Sequence, residues 1–178
     1  MKKVILLSAV VFLIISGCSK SNESKSGGTD TIETTLYGSG PYYALGFSFS
    51  QGKLVSTDDS PGPDITIIAD VDIDGTIRRL MLQTDNFKDS FYKYGVYGNA
   101  TAAETAFKSL TSATVAQWQE IADTLKPNQI WLYRSGTEHY AKLRVISTVA
   151  EQRSNVAYGS CTFQWVYQPD GTLTFPAQ

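Results

Sequence analysis

The sequence predicts a mostly-β protein of the α+β kind, an antiparallel β-sheet or sandwich with two short helices inserted before the C-terminal strands. Three observations carry that expectation. Apolar and polar residues alternate in runs of strand length, as in Phe47-Ser48-Phe49 and Leu143-Arg144-Val145. Stretches rich in Gly, Pro and Asp separate these runs, among them residues 56–63 (STDDSPGP) and Gln168-Pro169-Asp170-Gly171. Between residues 99 and 125 the pattern becomes Ala-rich, with apolar residues three or four apart.

Lys2-Lys3 and the apolar run 4–15 have the form of a secretory signal, because twelve apolar residues are too few to span a bilayer. Ile15-Ser16-Gly17-Cys18 follows and resembles a bacterial lipobox. That resemblance implies cleavage after Gly17 and diacylation of Cys18, so residues 1–17 are expected to be a lipoprotein signal peptide. Several acyl chains, at about 0.8 kcal/mol per buried methylene, give stable anchoring. Residues 18–31, the lipidated Cys18 and a Ser- and Gly-rich stretch, are expected to form a flexible tether. Residues 32–178 are left as a single β-rich domain, long enough to enclose a core.

Without Lys2 and Lys3, 13 basic side chains face 17 acidic ones. The mature chain is mildly acidic and has no basic stripe, which argues against nucleic acid as a partner. With Cys18 lipidated, Cys161 has no partner for a disulfide. It alternates with Phe163, Trp165 and Tyr167, which predicts a buried, inert thiol.

Within the domain, residues 42–54 read as a half-buried strand, 64–71 and 76–83 as a hairpin, and 91–97 as an aromatic strand. The hairpin turn contains Asp70-Val71-Asp72-Ile73-Asp74-Gly75, the front half of an EF-hand loop. A calcium site at Asp70, Asp72 and Asp74 is one reading. Against it, the twelfth position is Met81 rather than a bidentate Glu, and Arg78-Arg79 bring positive charge. A tight turn needing positive φ at Gly75 accounts for the same residues.

Capping-box patterns at Thr101–Glu104 and Thr114–Gln117 predict the two helices, the second presenting Val115, Trp118, Ile121, Ala122 and Leu125. Lys126-Pro127-Asn128 ends it. Residues 130–134 and 139–147 then form a hairpin whose Leu143 and Val145 are expected inside, with Lys142 and Arg144 solvated. After a polar interval, 162–166 is a further strand, and a short last one holds Leu173 and Phe175.

The run Tyr133-Arg134-Ser135-Gly136, Tyr140-Ala141-Lys142-Leu143, then Phe163 and Tyr167-Gln168-Pro169-Asp170-Gly171 resembles the close of the HmuY-like lipoproteins of Bacteroidetes. Upstream, Phe47-Ser48-Phe49, Gly52-Lys53 and Gly62-Pro63-Asp64-Ile65 resemble that family's early strand and its W-D-I segment, with Pro63 in place of the tryptophan. The resemblance implies a secreted, lipid-anchored, mostly-β protein, and haem as a cofactor, since the best-known members are haemophores. The prototype grips iron through two histidines, whereas this chain has His139 alone, and Met81 is the other soft side chain. The resemblance therefore implies a His139/Met81 or single-ligand haem site. Strand phase offers a second reading of His139, as a residue closing the core beside Ala141, Leu143 and Val145.

Catalysis finds no support in the residue pattern, because no His, Cys and carboxylate cluster has the spacing of a zinc or nucleophile site. The expected function is non-enzymatic. A protein held to the membrane by its lipid, in the cell envelope at the outer membrane, binds a small-molecule, glycan or protein ligand. Haem or porphyrin binding is the alternative. Whether the domain faces the periplasm or the outside stays open.

Overall fold

The computed structural model describes residues 26–84 and 88–177. In chain order the strands are β1 (Gly27–Glu33), β2 (Leu36–Tyr37), β3 (Tyr43–Ser48), β4 (Lys53–Ser56), β5 (Thr66–Val71), β6 (Ile77–Gln83) and β7 (Phe91–Val96). Helix α1 (Ala100–Ser109) follows, then β8 (Gln129–Arg134), β9 (Tyr140–Arg153) and β10 (Val156–Gln168). Among the described residues the protein is mostly β, with 51% in strands and bridges and 7% helical. Residues 1–17, expected to be a signal peptide, and Cys18 lie outside the described residues.

One five-stranded antiparallel sheet, ordered β1-β10-β9-β8-β7, forms the frame. The β3–β4 and β5–β6 hairpins supply a second layer against its inner face. Phe47 and Phe49 enter from β3 and its turn and meet Phe163, Trp165 and Tyr133, with ring centroids 5.0–6.0 Å apart. The rings meet tilted or edge-on, the arrangement their quadrupoles favour. Buried indoles need partners for their N–H groups. Trp165 donates to the Asp30 carboxylate at 2.8 Å and Trp131 to Gln129 at 3.1 Å. Cys161 is buried and free in this layer, and burial pushes its thiol up to about 12.

The tether is shorter than its composition suggests. β1 begins at Gly27 and pairs with β10 from Val166 to Ser160. Gly28 packs against the Trp165 indole, where a Cβ would make an ordinary contact at 3.4 Å. The strand expected over residues 42–54 is instead the β3–β4 hairpin, turning at Gly52 with φ of 60°.

Only one helix is present among the described residues, not two. Its N-cap is Asn99, whose side chain accepts from the Ala102 N–H at 2.9 Å, rather than Thr101. The expected second helix over 114–125 is extended. Gln119 exchanges backbone hydrogen bonds with Phe91, and Ala122 does so with Leu82. Leu125 adds a bond to the Leu80 carbonyl. This segment thus pairs with β6 and β7, and satisfying those strands outweighs a helical apolar period. Trp118 closes the surface above it, stacked on Tyr140 at 6.0 Å with the Arg134 guanidinium 4.9 Å from its ring.

The outer face of the sheet differs most from its sequence pattern. Lys142 and Arg144 were expected in solvent, yet Lys142 is 0% and Arg144 9% exposed. α1 lies over both, and Phe107 and Leu110 pack with Ile130, Leu132, Val166 and Phe175. The Lys142 ammonium donates at 2.8 Å to the carbonyls of Phe107 and Leu110, and sits 4.7 Å from the Phe107 ring. Carbonyls of a last helical turn lack intrahelical partners and carry the negative end of the macrodipole. A strand lysine therefore caps the helix from below. Arg144 reaches Gln164 at 3.0 Å.

Burial pushes the Lys142 ammonium down to about 8, against the pull of its two carbonyls. Because the folded value lies below the unfolded one, the unfolded chain binds more protons between about pH 8 and 10.5, and this group's contribution to stability rises with pH there. Lys142→Met, which strands two carbonyls, should cost about 1–3 kcal/mol in denaturant melts at pH 7. The deficit relative to wild type should widen from pH 8 to 10. An unchanged midpoint would remove Lys142 as the helix cap.

Candidate binding site at the hairpin end

The β9–β10 ladder contains one irregularity. Thr162 pairs with Ser147 but Phe163 pairs with Val145, so Ile146 is an extra residue in β9. Such a bulge switches which residues of its strand face each side. Before it, Ala141, Leu143 and Val145 face the core. Beyond it, Thr148, Ala150 and Gln152 pair with Cys161, Gly159 and Ala157 and share their inward face. Val149, Glu151 and Arg153 turn outward, in register with Ser160, Tyr158 and Val156.

Past the bulge the two strands continue as an arm, closed by a two-residue turn at Ser154 (φ 49°) and Asn155 (φ 64°). Positive φ at both positions is the geometry of a tight hairpin whose twist matches its strands. The turn of the β5–β6 hairpin lies beside it, linked by the Gln152 side-chain amide donating to the Gly75 carbonyl.

Side chains at this end are unusually apolar for a surface. Ile73 is fully exposed, Val156 67% and Leu36 62% exposed, with Val71 and Val149 about as open as each other. Two clefts flank the arm. One, of about 380 Å³, is lined by Val71, Asp74, Gly75, Thr76, Gln152 and Asn155. The other, of about 350 Å³, lies between Leu36 with Thr34 and Thr35 and the arm residues Arg153, Val156 and Tyr158. Both sit at the small end of ligand-site volumes.

The second cleft is the more organised. Glu33 accepts from the hydroxyls of Tyr37 and Tyr158, each at 2.8 Å. The Tyr158 bond is the larger influence holding the Glu33 carboxyl below its usual range. The Arg153 guanidinium lies 3.2 Å from the centre of the Tyr158 ring, and its Nε donates to Glu151 at 2.6 Å.

Of the residues singled out from the sequence, Asp74 lines the first cleft, while His139 and Met81 line neither. His139 stands in the β8–β9 turn, its Nδ1 3.0 Å from the Tyr167 hydroxyl, at the opposite end of β10 from the arm. Met81 lies in β6 opposite Ile68 and is outside the core cluster that holds Leu80 and Leu82. The structure does not bring the two together. Asp70 is bound by Arg79 at 2.9 Å and Arg78 at 3.2 Å. Asp72 accepts from the Ile73 N–H and Asp74 from the Thr76 N–H, while Gly75 takes φ of 83°. The three carboxylates therefore serve the hairpin separately. Cys18 lies outside the described residues.

The chain matches no protein-family model and no curated protein sequence.

Sequence reasoning missed Glu33, Arg153 and Tyr158, which belonged to the tether boundary and the polar interval. It also passed over Asp64, near the His139 end. Asp64 accepts from the Phe49 N–H at 2.7 Å and the Tyr133 hydroxyl at 3.1 Å, joining the loop after β4 to β8. Burial raises its carboxyl, partly opposed by those bonds. Asp64→Ala, which removes both of these hydrogen bonds, should cost about 1–3 kcal/mol in urea melts. A loss below about 0.5 kcal/mol would mean water satisfies the two donors.

Proposed function

We propose that the protein is a lipid-anchored component of the bacterial cell envelope that binds a ligand or partner, without catalysis, through the β9–β10 arm and its neighbours. The observation that carries this is the polarity of the long strand. The chain enters at one end, where the Ser26 carbonyl accepts from the Tyr167 N–H. The apolar arm lies at the other end of the 13-residue β10, about 40 Å away at roughly 3.4 Å per residue. A tether on Cys18 leaves the arm free to point away from the membrane. Leu36 and Val156 line the second cleft, Val71 the first, and Ile73 stands in the β5–β6 turn, so exposed apolar side chains gather at this end, as they do at interaction sites. The ionisable groups there are paired with one another, an arrangement for recognition rather than proton transfer.

The likeness to HmuY-like lipoproteins supports the same reading and keeps haem as a second one. The cleft beside Tyr158 favours it: Leu36 and Val156 give it apolar walls, and tyrosine is a side chain that can hold haem iron. In this version Tyr158 replaces the His139/Met81 pair, whose members lie in the β8–β9 turn and in β6.

Labelled palmitate should enter the wild-type protein and not Cys18→Ser, which should move from the membrane to the soluble fraction. The folded domain should enhance anilinonaphthalene sulfonate fluorescence, and Leu36→Ser/Ile73→Ser/Val156→Ser should abolish the enhancement without lowering Tm. No enhancement from the native domain would refute binding through this end. In haem titrations, a Soret shift lost in Tyr158→Phe and kept in His139→Ala and Met81→Ala supports the second reading, and no shift removes it.

A further inference from the structure

Resting on the binding role of the arm, we infer that the cleft between Leu36 and β10 takes a planar aromatic ligand, stacked on the free face of the Arg153 guanidinium. The Arg153 guanidinium lies over the Tyr158 ring, 3.2 Å from its centre, while about half the arginine side chain is exposed and lines the cleft. A guanidinium is a flat, weakly hydrated cation that stacks on π-faces. One face is already occupied by Tyr158. Leu36 and Val156, the two most exposed apolar side chains of that cleft, line it together with Arg153.

The stack is held in place before any ligand arrives. Glu33 fixes the Tyr158 hydroxyl, and Glu151 fixes Arg153 through Nε. A ring entering the cleft therefore meets a guanidinium whose rotamer freedom is already spent, which lowers the entropic cost of binding. The same carboxylates select the charge of the ligand. Glu33 and Glu151 flank one arginine, so the site is net acidic and disfavours a second carboxylate. A neutral π-system gains the cation–π attraction without that repulsion.

Size narrows the class further. About 350 Å³ accommodates a fused system of two or three rings with its edge in solvent. Recognition is by the flat face and not by a metal, because none of the lining residues is His, Met or Cys. Arg134 over Trp118 is the natural comparison. There the guanidinium stands 4.9 Å off and the indole's other contact is Tyr140, so that stack is filled by the protein's own side chains.

Lumiflavin, a neutral three-ring fluorophore, is the probe. Titration of the mature domain should quench its fluorescence and raise its anisotropy. Arg153→Lys, which keeps the charge and loses the plane, should weaken binding about tenfold, in line with one cation–π contact. Arg134→Lys should leave it unchanged. 1-Adamantanol, apolar but not flat, should fail to displace it. Absence of lumiflavin binding, equal binding by Arg153→Lys, or displacement by adamantanol each overturns the inference. If the inference fails while the naphthalene-dye signal still maps to Leu36, Ile73 and Val156, the arm remains a binding surface of another specificity. If both signals fail, the binding role falls with it.

Discussion

A single extra residue in β9 decides what this protein hides and what it shows. Ile146 breaks the pairing between Val145–Phe163 and Ser147–Thr162. Without that insertion, strict alternation would carry Val149, Glu151 and Arg153 inward, beneath the β5–β6 hairpin. Arg153 would then lie on the opposite face of the ladder from Tyr158, and their contact would be lost. With it, they face outward and the stack on Tyr158 forms. One ladder thus serves as core at one end and display surface at the other.

The two halves are stabilised by different means. On the core side, aromatic packing from β3, β8 and β10 fills the inner layer, and the Lys142 cap fastens α1 to the outer face. Deleting a ring such as Phe47 or Trp165 would cost about 3–5 kcal/mol there. On the arm, few apolar contacts are buried and stability comes from the ladder, the turn and the Gln152–Gly75 link. Segments of that kind open locally at low free-energy cost, which suits a surface that must fit a ligand.

The legible parts of the sequence were those where apolar side chains recur in runs of strand length. Alternation located β5, β6, β7, β8 and the inner half of β9, and the Asp-Gly turn located the hairpin between β5 and β6. Lys142 and Arg144 misled because a charged side chain can be buried when helix carbonyls receive it, and pattern alone cannot see the helix above. Residues 114–125 have a helical period, but their apolar side chains are equally served by an extended segment pairing with β6 and β7. The arm was hidden for the opposite reason. Solvent on both faces removes the alternation signal, and the bulge shifts its phase, so residues 148–160 read as a polar interval. Ser154-Asn155 was the one local sign of a turn.

The central claim is that the surface beyond the bulge does the binding. Hydrogen–deuterium exchange of the mature domain, free and saturated with lumiflavin or haem, tests it most directly. The account predicts slowed exchange in residues 33–37 and 149–158, with 134–140 and 167–168 unchanged. Protection centred on His139 and Tyr167 instead, or none with either compound, would contradict it.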